Sequence, residues 1–177
     1  MDVDEIAPGL WRWTGRRETI GRDVGCVYQE GPDGIVLIDA LVPPEDGERF
    51  LRALDRDVAN AGRRGVHLLT TVDRHERSSA ALADRYGGAI VPRDGALPNG
   101  IAAIETGSPG EVAFWLPEHR CLVVGDATRS DRGRLVAHGA SPAFATAVLM
   151  LDVERVLVSH GEPVLAGAHE ALRAALA

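Results

Sequence analysis

The run LLTTVDRHERSSAALADRYG, residues 68–87, decides how this chain is read. It opens as a buried strand ending in threonine, enters a knot of ionisable residues and closes as a helix with an Ala/Leu face. Strand, polar turn and helix start is where many α/β enzymes place their chemistry. The knot holds Asp73, His75 and Glu76, residue types that ligate metals or carry protons, between Arg74 and Arg77.

Working outward, GLWRWTG (9–15) alternates as a strand does, and VGCVYQE and IVLIDA are two strands joined by a Gly-Pro-Asp-Gly turn. Ile35 to Ile38 is continuously apolar, as in a fully buried strand, and ends in Asp39. A helix follows, with Phe50, Leu51, Leu54 and Val58 at helical spacing. VHLLT is a strand, and SSAALADRYG is a helix with Ser78 or Ser79 as N-cap and Gly87 past its end. GAIVP is a short strand. The second half gives strands IAAIET, EVAFWL and CLVVGDA, an exposed loop RSDRGR (129–134), a helix in SPAFATAVLMLDV, a strand in VERVLVSHG and a terminal helix. Each half runs strands, helix, strand, which predicts an α/β layered domain: two mixed sheets packed face to face with helices outside, in one domain over residues 1–177. Ionisable residues recur where apolar strands end, at Asp39, Asp73–Glu76, Asp126 and His160.

Composition excludes several alternatives. All 19 basic residues are arginine, so no lysine is present for Schiff-base chemistry or a P-loop. The net charge of −7, with both signs interspersed, carries no footprint for nucleic acid. No window reaches the roughly 18 apolar residues of a membrane span. The acidic start MDVDEIAPG lacks the basic and apolar regions of a secretory signal, so a cytoplasmic location is expected. Cys26 and Cys121 sit in apolar runs and read as buried free thiols. His67, His119, His138 and His169 are assigned to surface or core, and Trp11, Trp13 and Trp115 to packing.

Four strand ends together resemble the metallo-β-lactamase fold. LIDA (37–40) looks like the strand and Asp before the family's first helix, and LLTTVDRHERSS matches without a gap the loop that reads T-H-x-H-x-D-H. GDAT (125–128) is similar to the segment of the metal-bridging Asp, and VLVSHGEPV (156–164) to the last ligand segment, G-H-G-x-P. The order is the family's, and the elements span nearly the whole chain. The resemblance implies a four-layer αβ/βα sandwich and a metal site, whose positions are altered here. The first two loop histidines fall on Thr71 and Asp73, the loop Asp on His75 and the next His on Glu76. The histidine between the halves falls on Ser108. Asp126 and His160 alone keep the family's identities.

The three-histidine position is therefore dismantled, since hydroxyls are poor zinc ligands. The neighbouring position, at His75, Glu76, Asp126 and His160, keeps only residue types that bind a divalent cation. The leading expectation is a homologue with a degenerate metal site, non-catalytic or binding a small molecule, with no metal. The alternative is a hydrolase of esters, thioesters or amides with a single Zn, Mn or Fe ion and Asp73 as general base. A metal-free acid–base version would use His160 as base and Asp126 to orient it. Asp39 is expected to accept backbone N–H groups, and neither nucleic acid nor membrane is expected as a partner.

Overall fold

A computed structural model describes residues 3–62 and 64–177. The chain divides into two compact units, Met1–Thr70 with Arg74–Asn99, and Thr71–Asp73 with Gly100–Ala177.

The first unit carries strands β1 (Val3–Ala7), β2 (Leu10–Arg17), β3 (Arg22–Gly31), β4 (Gly34–Ile38), β5 (Gly65–Leu69) and β6 (Ala89–Ile90), paired in that order. The first three joins are antiparallel; β4–β5 and β5–β6 are parallel. The change follows from the connections, because a tight turn can join only antiparallel neighbours while a helix crossover returns the chain parallel. Asn99 clasps the β3–β4 turn: its Oδ1 accepts the Asp33 N–H at 2.9 Å and its Nδ2 donates to the Gly34 carbonyl at 3.2 Å. The crossovers are α1 (Gly47–Ala61) and α2 (Ser79–Tyr86). Leu54 of α1 and Leu82 of α2 enter one core with Trp13, Cys26, Leu37 and Leu68, and Phe50, Leu51 and Val58 pack around it. Truncating Leu54, only 3% exposed, to Ala is expected to cost about 2–5 kcal/mol. Ser78 stands at the N-cap of α2, yet its hydroxyl accepts no bond from the helix; it accepts the Val42 N–H at 2.9 Å, tying the loop after β4 to the helix start.

The second unit has β7 (Ala102–Glu105), β8 (Val112–Leu116), β9 (Cys121–Val124) and β12 (Arg155–Val158) in one sheet, ordered β12-β9-β8-β7, with β12 parallel to β9 and the other joins antiparallel. Helices α3 (Pro142–Leu149) and α4 (Ala168–Leu176) put Phe144, Val148 and Leu172 into a core with Leu122, Val124, Val156 and Val158. Ser141 caps α3, its hydroxyl accepting the Phe144 N–H at 3.1 Å.

Both sheets are mixed and both carry helices, as expected. One expectation fails. The run RSDRGR lies in a hairpin, β10 (Thr128–Asp131) with β11 (Arg134–Ala137). Its two turn residues, Arg132 and Gly133, have φ of +50° and +77°, the conformation of a type I′ hairpin turn. The charged strands hid the alternation, and Arg-Gly stands where Asn-Gly would have signalled the turn. Both cysteines are buried free thiols, pushed up by burial to about 11 at Cys26 and about 12 at Cys121, which leaves them poor nucleophiles. No described helix is long and apolar enough to cross a membrane.

Candidate functional site

In the first unit the site residues sit where β4 and β5 end. Asp39 follows β4 with φ +52°, a left-handed conformation that Asp tolerates better than most residues, and its N–H donates to the Leu69 carbonyl at 3.0 Å. Its carboxylate meets a side chain that the sequence does not point to. Oδ2 lies 3.0 Å from His75 Nδ1, and both residues are 2% exposed. A carboxylate on Nδ1 holds the proton there and presents Nε2 as the lone-pair nitrogen, the arrangement by which metal-binding histidines are oriented. Arg77, also at positive φ, donates from Nη1 to the Asp39 carbonyl at 2.6 Å and to the Gly25 carbonyl at 2.9 Å. Glu76 is exposed, next to the single 3-10 turn Asp73–His75.

In the second unit strand register explains the pair. Parallel pairing sets Val158 opposite Val124, so Asp126 and His160, each two residues beyond, leave the sheet edge side by side. Asp126 Oδ1 is 3.0 Å from His160 Nε2, and Arg129 Nη2 is 3.9 Å from the same oxygen. Gly161 has φ +97°, and a Cβ there would lie 2.0 Å from the Ser130 carbonyl oxygen. The Gly after His160 is thus required by the close passage of β10, whose Ser130 N–H donates to the His160 carbonyl at 3.0 Å.

Thr71 and Asp73 belong to this unit. The Thr71 carbonyl accepts the Val112 N–H at 2.8 Å, and the Asp73 N–H donates to the Gly110 carbonyl at 3.0 Å. Thr71 is fully buried and Asp73 is exposed. Among the described residues Asp73 does not join Asp126 and His160 within a metal-sharing distance. Ser108 stays near the surface, with its hydroxyl 3.5 Å from the Gly139 carbonyl. Sequence reasoning missed Glu111. This residue, 4% exposed, bridges to Val72 and accepts the Ala127 N–H on Oε1 at 2.6 Å. Gly125 is where the pieces meet: a Cβ there would lie 2.7 Å from Thr71 Oγ1 and 2.9 Å from Glu111 Oε1. The signal was a charged residue opening the apolar run EVAFWL, the same strand-end pattern that marked Asp126.

The sequence matches no family model and no curated protein. Solved structures do resemble it. VMB-1 superposes with a TM-score of 0.68 at 13% identity, covering 99% of this chain and 95% of that one. The DIM-1 metallo-β-lactamase gives 0.63 at 13% identity over 99% and 96%. An NDM_FIM-1-like metallo-β-lactamase from Erythrobacter litoralis, in its mono-zinc form, gives 0.63 at 16% identity over 99% and 94%. At such identities shape is shared and chemistry is not thereby transferred. The chain has the metallo-β-lactamase fold.

Proposed function

We propose that this chain is a metallo-β-lactamase-fold protein without the two-metal centre, acting as a non-catalytic homologue that binds a small molecule. The observation that carries the reading is the replacement at the histidine-rich position. Its donors are a buried threonine, an exposed aspartate and a surface serine, a set that does not fit zinc. Beside Thr71 the Glu111 carboxylate holds the Ala127 N–H at 2.6 Å. A charge-assisted bond of that length ties the loop after β9 to the start of β8. No step of a two-metal hydrolysis is assigned to these residues.

A second reading has its own observation. Zinc bonds to nitrogen and oxygen are about 2.0–2.1 Å, so donors 3.0 Å apart, as in Asp126 and His160, subtend about 95° at a shared ion. The donor types fit one divalent ion, with His75 and Glu76 as the further ligands of the family register. A bound ion would supply Lewis acidity and an activated water. In that reading Asp126 and His160 hold the ion, Asp39 fixes the His75 tautomer, and Asp73 takes a proton as general base. The Erythrobacter litoralis protein, solved in a mono-zinc form, makes a one-ion state of this fold concrete.

Thermal-shift screening of the untagged protein against metabolites and against Zn and Mn separates the two. The first reading expects stabilisation by an organic ligand, none by metal, and no esterase turnover. A metal-induced shift that vanishes in the double variant His75→Ala, His160→Ala, together with turnover, would replace it with the second.

A further inference from the structure

The first unit contains a cavity of about 460 Å³ between the flank of α1 and the outer strands β1 to β3. That volume lies within the range of small-molecule sites. The cavity uses none of the strand-end residues discussed above. Its floor is aromatic. Trp11 and Tyr28 meet edge to face with centroids 5.2 Å apart, and Trp13 and Phe50 lie 5.2 Å apart at 40°. Trp13, 2% exposed, is fixed by donating from Nε1 to the Leu41 carbonyl at 2.9 Å, and Tyr28 is 9% exposed. Rings held in this way present a preformed apolar slot to a planar ligand.

The helix wall of that slot is cationic. Arg49, Arg52, Ala53 and Arg56 line it at helical spacing, one stripe of α1. Arg49 and Arg56 stand two turns apart, roughly 10.5 Å along the axis, and the small Ala53 between them leaves the slot open. All three arginines are exposed, and neither Arg49 nor Arg56 makes a hydrogen bond or ion pair among the described residues. Carboxylates in the lining are fewer, Glu30 and Asp57. Glu30 is held from outside the cavity by Arg64 at 3.3 Å, as Glu48 holds Arg52 at 3.3 Å. Asp57 remains, next to Arg56 in the chain. With the pairing partners included, Arg49, Arg52, Arg56 and Arg64 stand against Glu30, Glu48 and Asp57, so the balance stays positive. Two unpaired guanidiniums beside an apolar slot suit a planar anion, because arginine keeps its charge and its fork of donors matches a carboxylate.

We propose that this cavity binds a bicyclic aromatic carboxylate, its rings against Trp11 and Phe50 and its carboxylate at the Arg49–Arg56 wall. The site needs no metal and none of the strand-end residues, so it holds under either functional reading and fails independently of both.

The test is calorimetric titration of the full chain, in the presence of EDTA, with 1-naphthaleneacetate, its neutral isostere 1-naphthaleneacetamide and 1-naphthalenemethylamine. The acid is expected to bind about tenfold more tightly than the amide, and the amine more weakly than either. The double variant Arg49→Gln, Arg56→Gln should bring acid and amide to within about twofold of each other. Asp57→Asn, which removes the opposing carboxylate, should raise the preference for the acid. Trp11→Ala should weaken acid and amide alike, about tenfold. Should Trp11→Ala fail to fold, Ala53→Leu fills the slot from the helix side and should weaken both likewise. An acid that binds no more tightly than the amide, or no saturable binding, would overturn the proposal. So would a preference that survives the double arginine variant or falls in Asp57→Asn, and so would an acid affinity indifferent to Ala53→Leu. A dimer, seen by sedimentation velocity, that Ala53→Leu dissolves would also overturn it, because the cavity face would then be a subunit interface.

Discussion

Among the described residues each unit carries an Asp–His pair at 3.0 Å, and the two are chemically different. In Asp39–His75 the carboxylate engages Nδ1, and both side chains are almost wholly buried, 2% and 3% exposed. In Asp126–His160 it engages Nε2, and the side chains are 11% and 17% exposed. The first pair fixes a tautomer and an orientation and answers to burial. The second sets Oδ1 and Nε2 3.0 Å apart at the edge of solvent, a spacing that two ligands of one ion would have. Whether an ion joins those two atoms is what separates the two functional readings. Identical residue types at identical distance are thus a structural clamp in one place and a candidate ligand pair in the other.

Breaking the clamp should have the largest effect. Asp39→Ala strips a buried histidine of its carboxylate and places alanine at φ +52°, so unfolding free energy should fall by about 3–5 kcal/mol in urea titrations. A loss below about 1 kcal/mol would mean the pair is not held as described. Glu111→Leu keeps the volume but leaves the Ala127 N–H without its buried acceptor, for an expected loss of about 1.5–3 kcal/mol by the same measurement. His160→Ala, at the more exposed pair, should cost only on the order of 1 kcal/mol; a cost matching Asp39→Ala would erase the contrast.

The smallest effect is a pH dependence away from both pairs. Burial lowers the His119 pKa below its ordinary value, Glu118 opposing and Arg155 adding to the shift. The unfolded chain then takes up the proton before the folded one, so stability falls as pH drops from about 6.5 toward the lower folded value. Comparing Tm at pH 7.5 and 5.5, His119→Gln should lose less on acidification than the parent chain. An equal loss in both would remove His119 as the cause.

Much of this was legible because burial writes itself in runs. Ile35 to Ile38 and Leu122 to Val124 can only be buried strands, and the residues just past them, Asp39 and Asp126, are site residues in consequence. Register was not legible. That His160 meets Asp126 depends on Val158 pairing with Val124, and nothing in either run specifies that partner. Asp39 is visible as a strand-end carboxylate, but its His75 partner lies 36 residues away and nothing local points to it. Glu111 was hidden by the same non-locality: a carboxylate at the head of a strand looks solvated until the Ala127 N–H, 16 residues on, is found beneath it.

The claim that this fold has lost its two-metal centre is tested most directly by zinc stoichiometry. Untagged protein, equilibrated with excess zinc and passed through gel filtration, is measured by elemental analysis and native mass spectrometry. Replacement of the histidine-rich donors by Thr71, Asp73 and Ser108 predicts that no chain retains two zinc ions. Retention of two tightly held zinc ions per chain would contradict the account.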